Sequence, residues 1–447
     1  MSQQTSAQLQ ESAAAVAAIA RRARAASRSL AKLSAETRNE VLMAAAQALD
    51  QGSARILEAN ERDCRAAQGA VSAGKMSAAM FARLRVTEHG IAQMATQVRE
   101  VARLEDPLGR RLSVTELDDH LVLYKETCPF GVVGVVFESR PDVVPQLASL
   151  GLKSGNAVIM KGGAESAQTN EVLVAIWREC LGRFPSVPVD AISLLQTRAD
   201  VLDLLSLDRD VDLIIPRGSY ELVQFIMQHS RIPVLGHSEG ICHVYVDRAA
   251  DIHKAIDIAY DAKVQYPAVC NAAETLLVHE GIAEAFLPRM AAKFEEAGVE
   301  IRGCAKTLAL LPAAAIVPAT ERDWATEYGD LILSVKIVAD LDEAIDHINR
   351  YGSRHTDAIV TEDAEAAQRF MSEVDSAGVY QNASTRFADG YRYGLGAEVG
   401  ISTSKLHARG PMGLEGLTTY KYKLFGDGHT VAPYTTGEKK FKHRRLQ

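Results

Sequence analysis

The chain has 447 residues, 47% of them hydrophobic and 24% charged, and a formal net charge of -8. Such a chain buries a sizeable core and is expected to form two or three domains, while its acidic balance excludes an extended nucleic-acid face. No apolar run approaches the roughly 20 residues that span a bilayer. Arg21, Arg22 and Arg24 fall inside an Ala-rich helical period rather than ahead of an apolar stretch, so no export signal is read and a cytosolic location is expected.

Residues 7–105 carry Ala, Leu and charged side chains at helical spacing, with Ser34 and Glu36 marking a helix start. Two alternating stretches, 112–117 and 120–126, flank Asp118-Asp119 and predict a hairpin. The texture then changes. Short β-branched runs at 131–137, 157–161, 191–195 and 211–215 predict strands, with helices between and after them at 141–153, 165–181, 200–206 and 220–228. This alternation implies βαβ units and a parallel sheet covered on both faces. A second α/β series begins after Ile232-Pro233, with strands at 243–246, 275–278, 314–317, 332–338, 358–360 and 378–381. The glycine-rich stretch 394–416 is expected to be loop, and the basic run 439–445 a solvated, frayed end.

Several motifs fail on inspection. Residues 69–75 (GAVSAGK) have P-loop spacing, but Met76 stands where a Ser or Thr must hold magnesium, and a helical stretch precedes them. Residues 394–400 (GLGAEVG) are one residue too long for a dinucleotide fingerprint. The six cysteines, at 64, 128, 180, 242, 270 and 304, form neither a CxxC pair nor a disulfide framework, and nothing points to a metal.

The remaining signals resemble the aldehyde dehydrogenase superfamily. Pro129-Phe130-Gly131-Val132, then Ser139-Arg140-Pro141, then 155–161 (GNAVIMK) resemble the opening of its cofactor domain. The resemblance makes Lys161 the ligand of the adenosine ribose. It makes Gly218 and Ser219, in 211–220 (VDLIIPRGSY), the turn that approaches the cofactor phosphates, where glycine and a helix N-terminus favour anions. It makes Glu327, in 324–329 (WATEYG), the partner of the nicotinamide ribose. Cys270, in 266–275 (YPAVCNAAET), stands in the segment of the family's nucleophile, and Pro267, Asn271 and Glu274 beside it are expected to form a loop at the site. Position 164 is alanine where NAD-preferring relatives carry a glutamate, which leans towards NADPH/NADP+.

The departures narrow the branch. The glutamate that hydrolyses the thioester in the oxidising members is missing, with His237 near its place, and Ser139 stands near the family's oxyanion asparagine. Strings such as FESRPDV (137–143), GHSEGICHVYVD (236–247) and HTDAIVTED (355–363) imply an NADPH-dependent reduction of L-glutamate 5-phosphate to L-glutamate 5-semialdehyde, a step of proline biosynthesis. Another cysteine-dependent acyl-CoA or aldehyde oxidoreductase of the superfamily is the alternative. The Cys270 thiolate would attack the acyl phosphate, with the Cys270 N–H and Asn271 as oxyanion donors and a positive environment around the thiol. Ser139, Arg140, His237, His243, Asn382 and Arg386 are the substrate-binding candidates. The implied fold is α/β and aldehyde dehydrogenase-like: two doubly wound domains with a cleft between them and a small β oligomerisation arm. Residues 1–111 and 127–235 would bind the cofactor, 236–408 would carry catalysis, and 112–126 with 409–447 would form the arm. Expected partners are other copies of the chain, as a dimer or tetramer, and transiently glutamate 5-kinase.

Overall fold

The structure, a computed structural model, describes residues 6–74, 76, 78–138, 140–236, 239–311 and 316–447. The chain divides into two compact units. The first comprises Met1–Leu235, Leu395–Gly400 and Met412–Gln447, and the second Gly236–Gly394 and Ile401–Pro411.

Five helices open the first unit: α1 (Ser6–Leu30), α2 (Ala35–Gln51), α3 (Ser53–Ser72), α4 (Ala78–Leu84) and α5 (Glu88–Arg103). The Ser34 side chain accepts the Thr37 N–H and starts α2, and Thr87 does the same for α5 through Gly90. In α5 the buried residues Ile91, Met94, Ala95, Val98, Val101 and Ala102 recur at helical spacing. That single apolar stripe holds the helix on the core. The P-loop-like stretch lies largely inside α3, which turns out at Ala73, and its Lys75 lies outside the described residues.

The strands β1 (Arg111–Asp118) and β2 (Leu121–Pro129) form the expected hairpin. Next come β3 (Val132–Phe137), α6 (Val143–Lys153), β4 (Ala157–Lys161), α7 (Ala167–Leu181), β5 (Ile192–Leu194), α8 (Arg198–Leu205), β6 (Leu213–Arg217) and α9 (Tyr220–His229). These strands make a four-stranded parallel sheet in the order β5-β4-β3-β6. All six residues of β3 are buried, as a strand covered on both faces requires. Gly151 of α6 is needed for close packing, since a Cβ there would lie 2.2 Å from Val158 Cγ2.

The second unit is built on a seven-stranded sheet. Its strands are β7 (Cys242–Val246), β8 (Ala273–His279), β9 (Glu300–Gly303), β10 (Ile316–Pro318), β11 (Ile332–Val338), β12 (Thr356–Val360) and β13 (Gly378–Gln381), in the order β10-β9-β11-β8-β7-β12-β13. Every pairing is parallel. The strand expected at 314–317 begins outside the described residues and is seen from Ile316. The stretch 394–416 is not all loop: β14 (Ile401–Ser402) and β15 (Gly410–Pro411) pair within it.

The last strands, β16 (Thr418–Phe425) and β17 (Arg444–Arg445), return to the hairpin and complete an antiparallel sheet, β16-β2-β1-β17. The basic end is therefore not a frayed tail. Arg444 pairs with Glu116 at 2.7 Å, Lys442 pairs with Asp119, and Thr115 stands opposite Arg445. The acidic edge of β1 neutralises the run, a match hidden by the sequence separation. No helix among the described residues is long and apolar enough to cross a membrane.

One core group makes stability depend on pH. His347 is 3% exposed and packs edge-on to Trp324 and His243, and burial holds its pKa down at about 2. The unfolded chain binds this proton near pH 6.5 and the folded chain only near 2, so stability falls as pH drops through that window. The slope is about 1.4 kcal/mol per pH unit for this one group. His347→Phe should flatten the denaturant-measured stability profile between pH 6 and 4; an unchanged slope would assign the loss to other groups.

Candidate active site

In the first unit Lys161 ends β4, where a parallel sheet presents its ligand edge. Its ammonium is half-buried and donates to the Gly162 carbonyl. Burial lowers its pKa, opposed by Glu165 and Asp200 and helped by Arg198. Lys161 and Ser219 line one cavity of 620 Å³, together with Phe137, Glu138, Thr197, Arg198 and Phe225 among others. The Gly218–Ser219 turn opens α9. Its outer N–H is already used: Ser219 N–H donates to Glu138 Oε2 at 2.8 Å. A Cβ at position 218 would lie 2.4 Å from that same carboxylate, so glycine is what allows the approach. Arg140 is exposed and pairs with Asp142 at 3.0 Å. Ser139 and His237 lie outside the described residues.

In the second unit Cys270 sits in the turn ahead of β8, half-buried and so within reach of solvent. Its segment is fixed from three sides. Gly240 packs flush on it, since a Cβ there would stand 2.1 Å from the Cys270 carbonyl oxygen. Cys242 donates its S–H to that oxygen at 3.3 Å. Thr385 donates its hydroxyl to the Asn271 carbonyl at 2.7 Å. Asn271 is buried; its Nδ2 donates to Ala388 O at 2.8 Å, while its Oδ1 has no partner among the described residues. The amide thus ties Cys270 to the 384–388 loop.

That loop also carries Arg386. Arg386 is 7% exposed, and its Nε donates to Gln265 Oε1 at 2.9 Å. Burial and the nearby Arg392 lower its pKa, and Asp261, Asp389 and Cys270 raise it, which places its charge within electrostatic reach of the sulfur. Here is a positive neighbour of the kind a nucleophilic thiol needs. Glu327 keeps access to solvent; burial raises its pKa, and the Gly240 N–H favours its ionised form. Its carboxylate and Cys270 therefore share Gly240 as a neighbour.

Two predicted residues lie elsewhere. His243 is fully buried, with Nδ1 on Asp357 Oδ1 at 2.8 Å, and no face of it is open to a solute. Asn382 follows the C-terminal end of β13, whereas Cys270 precedes the N-terminal end of β8 in the same parallel sheet. Its side chain clamps the backbone of Thr361 through both amide atoms.

Glu274 is not part of an open loop. It lies within β8 at zero exposure and pairs with the equally buried Lys263 at 2.6 Å. Burial pushes its carboxyl up to about 7, against the pull of Lys263 and the Gly329 N–H. Lys263 lies in the last turn of α10 (Ile252–Val264), so the ion pair pins that helix to the strand carrying the nucleophile's turn. Nothing in the spacing of a helical lysine and a strand glutamate eleven residues on marks such a pair. Gly240 also escaped notice, because a close backbone approach leaves no sequence pattern beyond the glycine itself.

Comparison with known proteins agrees with this geometry. Residues 2–303 match the Aldehyde dehydrogenase family. A Gamma-glutamyl phosphate reductase of Synechococcus sp. (strain JA-3-3Ab) is 54% identical over 423 residues, 94% of this chain and 92% of the relative. One of Pelotomaculum thermopropionicum is 54% identical over 428 residues, 96% and 97% of the two chains. The crystal structure of Gamma-glutamyl phosphate reductase from Thermotoga maritima superposes with a TM-score of 0.89 at 39% identity, covering 93% of this chain and 99% of that one. A glyceraldehyde-3-phosphate dehydrogenase of Methanocaldococcus jannaschii, complexed with NADP, shares the fold at a TM-score of 0.64 and 16% identity, over 93% and 95% of the two chains. The chain belongs to the aldehyde dehydrogenase family, in its γ-glutamyl phosphate reductase branch.

Proposed function

We propose that the chain reduces L-glutamate 5-phosphate to L-glutamate 5-semialdehyde with NADPH, releasing phosphate, and that the carbon skeleton passes through a thioester on Cys270. The observation that carries this reading is a solvent-reachable thiol locked in place by Gly240 and Asn271, with a buried guanidinium within electrostatic reach. The Cys270 thiolate attacks the acyl carbon and phosphate leaves with the bonding pair. Arg386 favours the thiolate over the thiol and is the first candidate to receive the substrate's anionic groups. The Cys270 N–H is the expected oxyanion donor, with Asn271 positioning the turn rather than reaching the substrate. Collapse of the reduced adduct returns the sulfur as thiolate and frees the aldehyde.

A nicotinamide cofactor suits the first unit, where the cavity holding Lys161 and Ser219 carries cations and a helix N-terminus. When bound, it supplies the hydride. Lys161 would hold the adenosine ribose, Gly218 and Ser219 the phosphates, and Glu327 the nicotinamide ribose. A phosphate taking the Ser219 N–H displaces Glu138 from it. In this reading the first unit binds cofactor and the second carries catalysis.

The test runs in reverse: glutamate 5-semialdehyde, inorganic phosphate and NADP+ are mixed with the protein and NADPH absorbance is followed. Phosphate-dependent formation is expected. Turnover that needs coenzyme A in place of phosphate would assign the chain to an acyl-CoA chemistry instead.

The antiparallel sheet is the proposed oligomerisation arm. Its outer strand β16 exposes Tyr420, Tyr422, Leu424 and Phe425 at 48%, 60%, 56% and 59%, and an unpaired strand edge bearing apolar side chains invites a second copy. Tyr422→Asp should lower the mass measured by light scattering; an unchanged mass would place the contact elsewhere. Transient delivery of the labile acyl phosphate by glutamate 5-kinase and a cytosolic location belong to the same proposal, and co-sedimentation with that kinase tests the former.

A further inference from the structure

Arg198 is the first residue of α8, and its side chain lines the cavity that holds Lys161. Among the described residues its guanidinium contacts the Phe225 ring, 5.9 Å from centroid to Cζ. No carboxylate among the described residues pairs with it, whereas other arginines of the first unit have one: Arg24 with Asp212, Arg38 with Asp106, Arg55 with Glu179 and Arg178 with Asp190. The nearby Asp200 is spent on its own helix start, where it accepts from Thr197 and from the Gln196 and Thr197 N–H groups.

Arg198 also stands close enough to Lys161 for the two cations to repel, because its charge acts on the lysine in the direction that disfavours protonation. Two cations facing one cavity, one of them without a counter-ion, form an arrangement that an anion completes. Arginine's planar fork matches the oxygens of a phosphate monoester in a way a lysine cannot. The two nicotinamide dinucleotides differ only in such a group, a phosphate on the adenosine ribose. Three carboxylates share the lining: Glu165 acts on Lys161, Glu138 accepts the Ser219 N–H, and Glu221 lies in the first turn of α9, while position 164 is alanine and adds no fourth.

We propose that Arg198 reads the 2′-phosphate of the cofactor and is the residue that makes this chain prefer NADPH to NADH. The proposal rests on the reading of this cavity as the adenosine end of the cofactor site. Phe225 supports the guanidinium from one side, and the ribose held at Lys161 carries the phosphate to the other.

The experiment measures the Kd of NADPH and of NADH, by fluorescence of the reduced nicotinamide, for the full chain and for Arg198→Ala and Lys161→Ala. Arg198 is exposed and caps nothing, so its replacement leaves the fold intact. Arg198→Ala is expected to weaken NADPH by about tenfold or more, the scale of a lost charge-assisted pair, and to leave NADH within about twofold. Lys161→Ala is expected to weaken both. Equal loss of both cofactors in Arg198→Ala, no loss of either, or an unmodified protein that binds the two alike would overturn the role of Arg198. A Lys161→Ala variant that binds both as before would show instead that this cavity is not the cofactor site.

Discussion

Replacing Cys270 by alanine is expected to abolish turnover, by at least about a thousandfold, because the covalent step then has no nucleophile. Serine should fare little better. A serine hydroxyl stays protonated at neutral pH, and an alkoxide is a poorer leaving group when the adduct collapses. The other thiols cannot substitute. Cys242 is fully buried and its pKa is pushed well up by burial and by Asp357, while burial also raises Cys64, Cys128 and Cys180. Cys304 is the exception, lowered by the Thr307 hydroxyl and by backbone N–H groups against the cost of burial. Cys304→Ala is therefore the informative control. Phosphate-dependent NADPH formation should survive in it and vanish in Cys270→Ala, and the reverse result would move the nucleophile to Cys304. Cofactor binding should be unchanged in both variants.

Strands with β-branched runs and buried faces were legible to within a residue or two: the stretches 157–161, 332–338 and 378–381 coincide with β4, β11 and β13. The strand β9 was not. Glu300–Gly303 is four residues long, exposes Glu300 and carries one branched apolar side chain, Ile301, so neither alternation nor a hydrophobic run announces it. Its place between β10 and β11 is a tertiary fact. The site divides in the same way. Cys270, Lys161 and Glu327 were marked by strings that resemble a family. Glu274 could be seen only as a polar residue near a loop, because what buries it is Lys263 on a different element. His243 looked like a ligand-binding histidine from its neighbours in the chain, and its pairing with Asp357 in the core depends on the register of β7 against β12.

Gly240→Ala is expected to cost about a hundredfold in kcat/KM while the protein stays folded. The added Cβ would meet Cys270 O at 2.1 Å, Cys270 Cα at 2.4 Å and Cys270 C at 2.6 Å. All three are backbone atoms, so no side-chain rotation relieves the overlap and the turn itself must move. The stability cost of such overpacking is about 1–3 kcal/mol, which a chain of this size survives. The catalytic cost is larger, because a displacement on the order of 1 Å at the attacking atom can lower the rate by about a hundredfold. The same shift strains the Cys242 bond to Cys270 O and moves the N–H that Glu327 relies on, so thiol and carboxylate lose their common reference together. The comparison variant is Gly69→Ala, in the body of α3 with nothing within 4 Å of the new Cβ. It should keep full activity and gain up to about 1 kcal/mol of helix stability. A Gly240→Ala protein that turns over like the parent would mean that the Cys270 turn is looser than its packing implies, and that Arg386 rather than backbone contact sets the position of the thiolate.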